Sequence, residues 1–288
     1  MTDADLPALF HDAERASLRG QRQALAWSRI RLISAVLAAI GGAMTWKFFG
    51  DASPGGALAM VAFSVALVVE ILLWTQQPER DWYAGRAVAE SIKTLAWRYA
   101  AAGAPFPADA PGAQALYRDR VAEVVAASEE RLAMVGDDPS PTAAMTALRA
   151  APFEQRRAAY LEHRLQEQKT WYSGRAQHNR TRALQWRSAL IAGEVAAIVL
   201  AGVRTFGVWE VDMSGVLAAA VASGAAWLGT RRHSTLATSY SMAARELALV
   251  RVKLLDADEA SWADAVAEAE KSMGREHRLW LASRPVEN

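Results

Sequence analysis

Residues 57–74 read ALAMVAFSVALVVEILLW, eighteen consecutive positions with one ionisable side chain, Glu70. A bilayer core takes about 20 apolar residues, with a range of roughly 17–25, so this stretch predicts a membrane-spanning helix. Three further apolar stretches stand beside it: LISAVLAAIGGAMTW (32–46), SALIAGEVAAIVLAGV (188–203) and GVLAAAVASGAAWLGT (215–230). They are short, and fit a bilayer with flanking residues reaching the interface or with local thinning. Short turns pair the first with the second and the third with the fourth, which predicts two membrane hairpins.

The charges around the hairpins are asymmetric. Arg15, Arg19, Arg22, Arg29 and Arg31 precede the first span, and Arg80, Arg86 and Lys93 follow the second. Lys169, Arg175, Arg180, Arg182 and Arg187 precede the third, and Arg231, Arg232 and Arg245 follow the fourth, whereas the hairpin loops carry only Lys47 and Arg204. Excess Lys and Arg stay on the cytoplasmic side. The expected topology is therefore a multi-pass protein of the inner membrane, with N-terminus, middle and C-terminus cytoplasmic. Trp46, Trp74, Trp209 and Trp227 fall at or near span ends, where an amphipathic ring is favoured.

The rest of the 288 residues sets limits. A mean hydropathy of +0.00 suits a chain with a minority of its length in lipid. The net charge of +1 predicts no DNA or RNA partner. Cysteine is absent, which excludes a disulfide frame and thiolate chemistry. The start, MTDADLPALFHDAER, is acidic and lacks the pattern of a cleaved signal peptide. Strand signals are nearly missing, so the fold class expected is all-α: four transmembrane helices in two hairpins, continuing into a cytosolic helical bundle. Five scattered histidines, with no i, i+4 pair, no phosphate loop and no nucleophile elbow, predict no enzyme, no metal and no cofactor.

The two hairpins read as copies of one unit: Ala24-Leu25-x-Trp27 leads into the first span and Ala183-Leu184-x-Trp186 into the third. WYAGRA at Trp82 and WYSGRA at Trp171 are not equivalents, since one follows a hairpin and the other precedes one. Helical seams follow the spans: Val88, Ile92, Leu95, Tyr99; Tyr117, Val121, Val124, Ser128, Leu132; Tyr240, Ala244, Leu247, Arg251, Leu254, with one charge intruding; and Trp262, Val266, Ala269, Met273, Glu276, Trp280. No Pro or Gly cluster separates spans from seams, so helices are expected to run unbroken across the interface. Pro-rich breaks at PFPADAPG (from Pro105) and GDDPSP (from Gly136) put the units at 10–135 and 153–283, with a linker at 136–152.

Three sets of residues are candidates for function. Glu70 and Glu194 lie within spans, where an ionisable group faces protein or water. Two roles are open to them: lining a cation pathway, or sitting near the interface paired with an arginine. Small residues at helical spacing, Ala38 with Gly42 and Ala218, Ala222 and Gly224, permit close helix contact, either inside a hairpin or between subunits of a homo-oligomer. Arg86, Lys93, Arg175, Arg180 and Arg182 can hold phosphates of a nucleotide or of anionic lipid.

One set of motifs points to a family. Trp82-Tyr83-x-Gly85-Arg86-Ala87-x-Ala89-Glu90-Ser91-x-Lys93-x3-Trp97-x-Tyr99, then Gly103-Ala-Pro105-Phe106, resembles the SLATT domain, a two-span effector domain associated with nucleotide-generating and nucleotide-sensing proteins of prokaryotes. The second unit resembles a sister version through Trp171-Tyr172-x2-Arg175-Ala176, Tyr240-x3-Ala244-x-Glu246-Leu247 and Glu276-His277-x2-Trp280. The likeness covers about residues 10–106 and 155–282. It implies a membrane effector of antiviral defence that assembles and permeabilises the inner membrane, with abortive infection as the outcome. The trigger it implies is a cyclic-nucleotide signal or a nucleotide-sensing partner protein. A non-pore scaffold or sensor that recruits a partner to the bilayer is the alternative, and a water-soluble bundle is a third.

Overall fold

The computed structural model describes residues 1–44, 53–128, 132, 138–207 and 213–282, and no side chain beyond Gly274. Trp46, Lys47, Trp209 and the side chains of Glu276, His277 and Trp280 lie outside the described residues. Among the described residues every element is helical: α1 (Ala8–Ala43), α2 (Pro54–Gln76), α3 (Pro78–Ala100), α4 (Ala113–Ala126), α5 (Ala143–Ala150), α6 (Phe153–Tyr160), a π-helical turn (Leu161–Gln166), α7 (Glu167–Thr205), α8 (Met213–Arg231), α9 (His233–Asp256) and α10 (Trp262–Ala282). Four stretches among them are long and apolar enough to cross a membrane.

The chain divides into two compact units that cut across its sequence halves. The helical body contains Met1–Gly20, Glu79–Gln177 and Ala237–Asn288; the span unit contains Gln21–Pro78 and His178–Leu236. Helices α1 and α7 supply residues to both, as uninterrupted helices must.

The other two connections depart from that expectation. Between α2 and α3, Gln77 takes a left-handed conformation (φ 45°), its N–H closing back on Leu73 O at 3.2 Å. Pro78 follows as the first residue of α3; it cannot continue the helix and bars the α conformation just before it. Between α8 and α9, Arg232 does the same (φ 47°), its N–H bonded to Leu228 O at 3.0 Å. Here no Pro or Gly marks the break.

In the span unit the apolar side chains point outward. Phe63, Leu67 and Ile198 are 65%, 62% and 72% exposed, whereas Ala38, Ala62 and Val69 are buried. That inversion of the usual pattern fits a lipid environment. Ser53 caps α2, accepting from Gly56 N at 3.1 Å, with Pro54 in the first turn. A row of small buried residues runs along α1 through Ala13, Ser17, Gly20, Ala24, Ser28, Ser34, Ala38 and Gly41. It is continuous at helical spacing apart from Arg31, and it lets partner helices approach closely. A Cβ on Gly41 would stand 2.5 Å from Gly55 O and 2.7 Å from Ala59 N, so α1 and α2 touch backbone to backbone there. The second hairpin meets less tightly: a Cβ on Gly193 would reach Val221 Cγ2 at 2.7 Å, and one on Gly224 would reach Leu190 Cδ2 at 3.1 Å.

The helical body has two apolar cores. One gathers Phe10, Val88, Ile92, Tyr99, Phe106, Tyr117, Val121 and Met145. The other gathers Trp97, Tyr160, Tyr172, Leu247, Leu254, Trp262, Val266 and Met273. The expected seams supply a large share of both, including Ile92, Tyr99 and Tyr117 in the first and Leu247, Trp262 and Val266 in the second. On α9, however, Arg251 is exposed and Val250 takes the inward place. A step of three from Leu247, then four to Leu254, keeps the stripe apolar at 3.6 residues per turn. Trp262 Nε1 donates to Ala101 O (2.8 Å), and Arg149 donates to Tyr99 O, Phe106 O and Pro107 O, tying the loop after α3. The two W-Y-x-G-R-A hexapeptides differ in environment. A Cβ on Gly85 would meet Ser17 N at 2.6 Å, while one on Gly174 would meet nothing within 4 Å.

Candidate functional site

Of the two acids within spans, Glu70 on α2 faces Arg31 on α1, Oε2 to Nη1 at 2.6 Å, with the two side chains 57% and 42% exposed. Toward the same end of the hairpin, Gln23 Nε2 donates to Gln76 Oε1 (3.0 Å). A cross-helix ion pair is how an ionisable group tolerates low dielectric. Glu194 is different. It lies on an outward face of α7 beside exposed Ile191, Val195 and Ile198, with no ion-pair or hydrogen-bond partner among the described residues. The structure gives the two acids no common partner.

The small-residue candidates separate into two kinds. Ala38 is buried in the first hairpin, where Gly41, not Gly42, makes the close contact; a Cβ on Gly42 would meet nothing within 4 Å. Gly224 packs inside the second hairpin. Ala218 and Ala222 are exposed, and with Ala226 and Gly229 they give α8 an outward face of Ala and Gly only.

The basic candidates divide between the units. In the body, Arg86 pairs with Glu90 (2.8 Å), Lys93 pairs with Asp3 (2.6 Å), and Arg175 lies over the Trp171 ring, 5.4 Å from its centre. In the span unit, Arg180 is exposed and Arg182 donates to Gln185 Oε1 (3.4 Å). Arg182 belongs to a cluster that sequence reasoning did not assemble. Arg29 and Arg231 both lie over the Trp227 ring, at 5.0 and 5.7 Å from its centre. Arg231 feels the charges of Arg29 and Arg182. Beside them His233 Nδ1 and Asn179 Oδ1 are 2.7 Å apart. In the sequence Trp227 reads only as a span-end aromatic; its place as a platform for arginines from two helices needs the tertiary fold.

A buried polar arrangement in the body, centred on Glu270, was also missed. Glu270 on α10 is fully buried. Its Oε1 accepts from Arg164 Nε (2.9 Å) and the Tyr160 hydroxyl (3.0 Å); its Oε2 accepts from Arg164 Nη2 (2.7 Å) and the Thr94 hydroxyl (3.1 Å). Burial and the neighbouring carboxylate push the Tyr160 phenol well above its ordinary range, so it stays a donor. A signal for Glu270 was present: it sits at i+4 from Val266 and i−3 from Met273, on the buried stripe of α10. Next to this pair lies a cavity of about 280 Å³ lined by Arg86, Glu90, Arg98, Arg164, Tyr172 and Lys271 among others.

The described geometry is that of a four-span protein with a helical body, and comparison with known proteins agrees. Residues 7–157 match the family model for SMODS and SLOG-associating 2TM effector domain 3, and residues 160–280 match that for SMODS and SLOG-associating 2TM effector domain 1. No curated protein and no solved structure matches the chain. The chain belongs to the SLATT family of two-span membrane effector domains, two of which it carries in tandem.

Proposed function

We propose that this chain is a membrane-permeabilising effector of prokaryotic antiviral defence, acting without catalysis. Copies assemble through their spans in the inner membrane, with termini and helical body on the cytoplasmic side. A nucleotide signal or a nucleotide-sensing partner protein releases the leak. The observation that carries this reading is the outward face of α8. Ala218, Ala222, Ala226 and Gly229 are exposed in the single chain, and a face of small residues favours close helix contact over lipid contact. A span serving only as an anchor needs no such face. Glu194, exposed and without a partner among the described residues, supplies a polar group that an assembly can turn toward water. The Arg29, Arg182, Arg231 and Trp227 cluster suits anionic headgroups at the cytoplasmic surface.

Dye release from liposomes loaded with purified full-length protein tests the proposal. Replacing Ala222 with leucine, alone or with Ala218→Leu, is expected to lower the native mass in detergent to that of one chain. Leakage should fall by about tenfold or more, since one lost close contact of about 1.4 kcal/mol already gives tenfold. An assembled and leaking double variant contradicts the assembly face. Glu194→Gln is expected to reduce cation over anion permeation about twofold to tenfold, read as a shift in reversal potential. Glu70→Gln, which removes only a half-exposed pair, is expected to change it little. Wild-type protein that binds liposomes and never leaks supports recruitment of a partner instead.

A further inference from the structure

We propose that the cavity of the helical body binds a phosphate group, held by Arg98, Arg164 and Lys271. The proposal gives the signal of the preceding section a place to act and rests on that reading for its biological meaning only; the binding itself stands on the geometry.

Four cations and two carboxylates line the cavity: Arg86, Arg98, Arg164 and Lys271 against Glu90 and Glu270. Arg86 is matched by Glu90 at 2.8 Å and Arg164 by Glu270 at 2.7 Å. Arg98 and Lys271 have no carboxylate partner among the described residues. The one acceptor Arg98 finds there is neutral, Ala267 O, reached by Nη2 at 3.0 Å. Among the described residues the lining therefore carries two more positive than negative charges, beside an apolar core.

Its donors are also incompletely used. Arg164 Nη1 and Arg98 Nε are both buried, and neither has an acceptor among the described residues. A buried guanidinium N–H without an acceptor is rare and costly. Water carries no charge to set against the surplus; a phosphate oxyanion supplies acceptor oxygens and negative charge together. Planar guanidinium donors match phosphate oxygens in pairs. The Ser91 and Thr94 hydroxyls stand on the same wall, and Lys271 at its exposed edge adds a mobile point charge. At about 30 Å³ per water, the cavity of about 280 Å³ exceeds a bare phosphate, so the group arrives attached to something larger. Either a soluble phosphate ester or a lipid headgroup carries that chemistry.

The test is calorimetric titration of the full chain in detergent with pyrophosphate. Saturable binding that weakens with salt is expected. K271A should bind about tenfold more weakly, as for one lost charged contact, and K271R should bind nearly as the wild type does. R98K, which keeps the charge and loses Nε, should also weaken it. Thermal melts of each variant establish that it is folded. Repeating the titration in micelles with phosphatidylglycerol, against phosphatidylcholine, separates the sources. Competition by phosphatidylglycerol assigns the cavity to a lipid phosphodiester; unchanged pyrophosphate binding assigns it to a soluble phosphate. Absence of saturable binding in both arms overturns the proposal, as does wild-type affinity in folded K271A and R98K. A protein that binds but does not leak removes the permeabilisation reading alone, and one that leaks without binding removes the cavity alone.

Discussion

Glu270→Ala is expected to destabilise the helical body by about 3–5 kcal/mol, the cost of removing one partner from a buried ion pair. The carboxylate accepts four hydrogen bonds, two from Arg164, one from Tyr160 and one from Thr94. Without it the Arg164 guanidinium, 2% exposed at its side chain, loses its hydrogen-bonded carboxylate and keeps only the more distant charge of Glu90. It cannot escape by losing its proton, because a guanidinium stays protonated at any ordinary pH. Two hydroxyls lose their acceptor as well. In a thermal melt of detergent-solubilised protein the midpoint should fall by roughly 10 °C. Glu270→Gln keeps one acceptor oxygen and the shape, so it should fall between. The pair Arg164→Met with Glu270→Leu should recover much of the loss, because an apolar replacement of both partners removes desolvation and pairing together. A single variant that melts like the wild type, or a double variant as unstable as the single, contradicts this account.

The spans and body helices were legible from period and hydropathy because those patterns are local. Residues 57–74 are apolar enough to decide α2 unaided, and the Trp262–Met273 seam follows from 3.6-residue spacing. Three features were not legible, each for a physical reason. The Arg164–Glu270 pair joins residues 106 apart, and the Thr94–Glu270 bond joins residues 176 apart; no local spacing encodes a meeting at that distance. The break after α2 had a signal in Pro78. The break at Arg232 has no sequence marker, since a non-glycine residue in the left-handed region is imposed by its surroundings. Finally, one position along a helix turns a side chain through about 100°. That step separates buried Gly41 from exposed Gly42, and buried Val250 from exposed Arg251. A small-residue motif says that a helix can be approached closely, and only the packed partner says on which side.

The first hairpin turns that distinction into a second large expected effect. Gly41→Ala is expected to force α1 and α2 apart, whereas Gly42→Ala should leave the hairpin intact. The added Cβ at position 41 would sit 2.5 Å from Gly55 O and 2.7 Å from Ala59 N. Both are backbone atoms of a helix, so neither can rotate aside as a side-chain tip does. Gly55 mirrors the constraint: its Cβ would come within 2.4 Å of Gly41 O and 2.7 Å of Met44 Cβ. The helices must therefore separate, giving up the burial of Ala38, Ala62 and Val69. Within lipid, helix association rests on such close packing, because lipid tails are as apolar as the side chains they replace. An overpacking cost of about 1–3 kcal/mol is the ordinary scale, and contact with rigid backbone places Gly41→Ala and Gly55→Ala at its upper end. Melting of the detergent-solubilised chain, with limited proteolysis of the hairpin, measures it. Gly41→Ala and Gly55→Ala should melt several degrees lower and be cut sooner. Gly42→Ala should match the wild type in both, and equal damage at positions 41 and 42 contradicts the packing described. Replacing Gly42 with leucine then isolates assembly from folding. An unchanged melt with a lowered native mass places Gly42 against a neighbouring copy, and an unchanged mass leaves α8 as the assembly face.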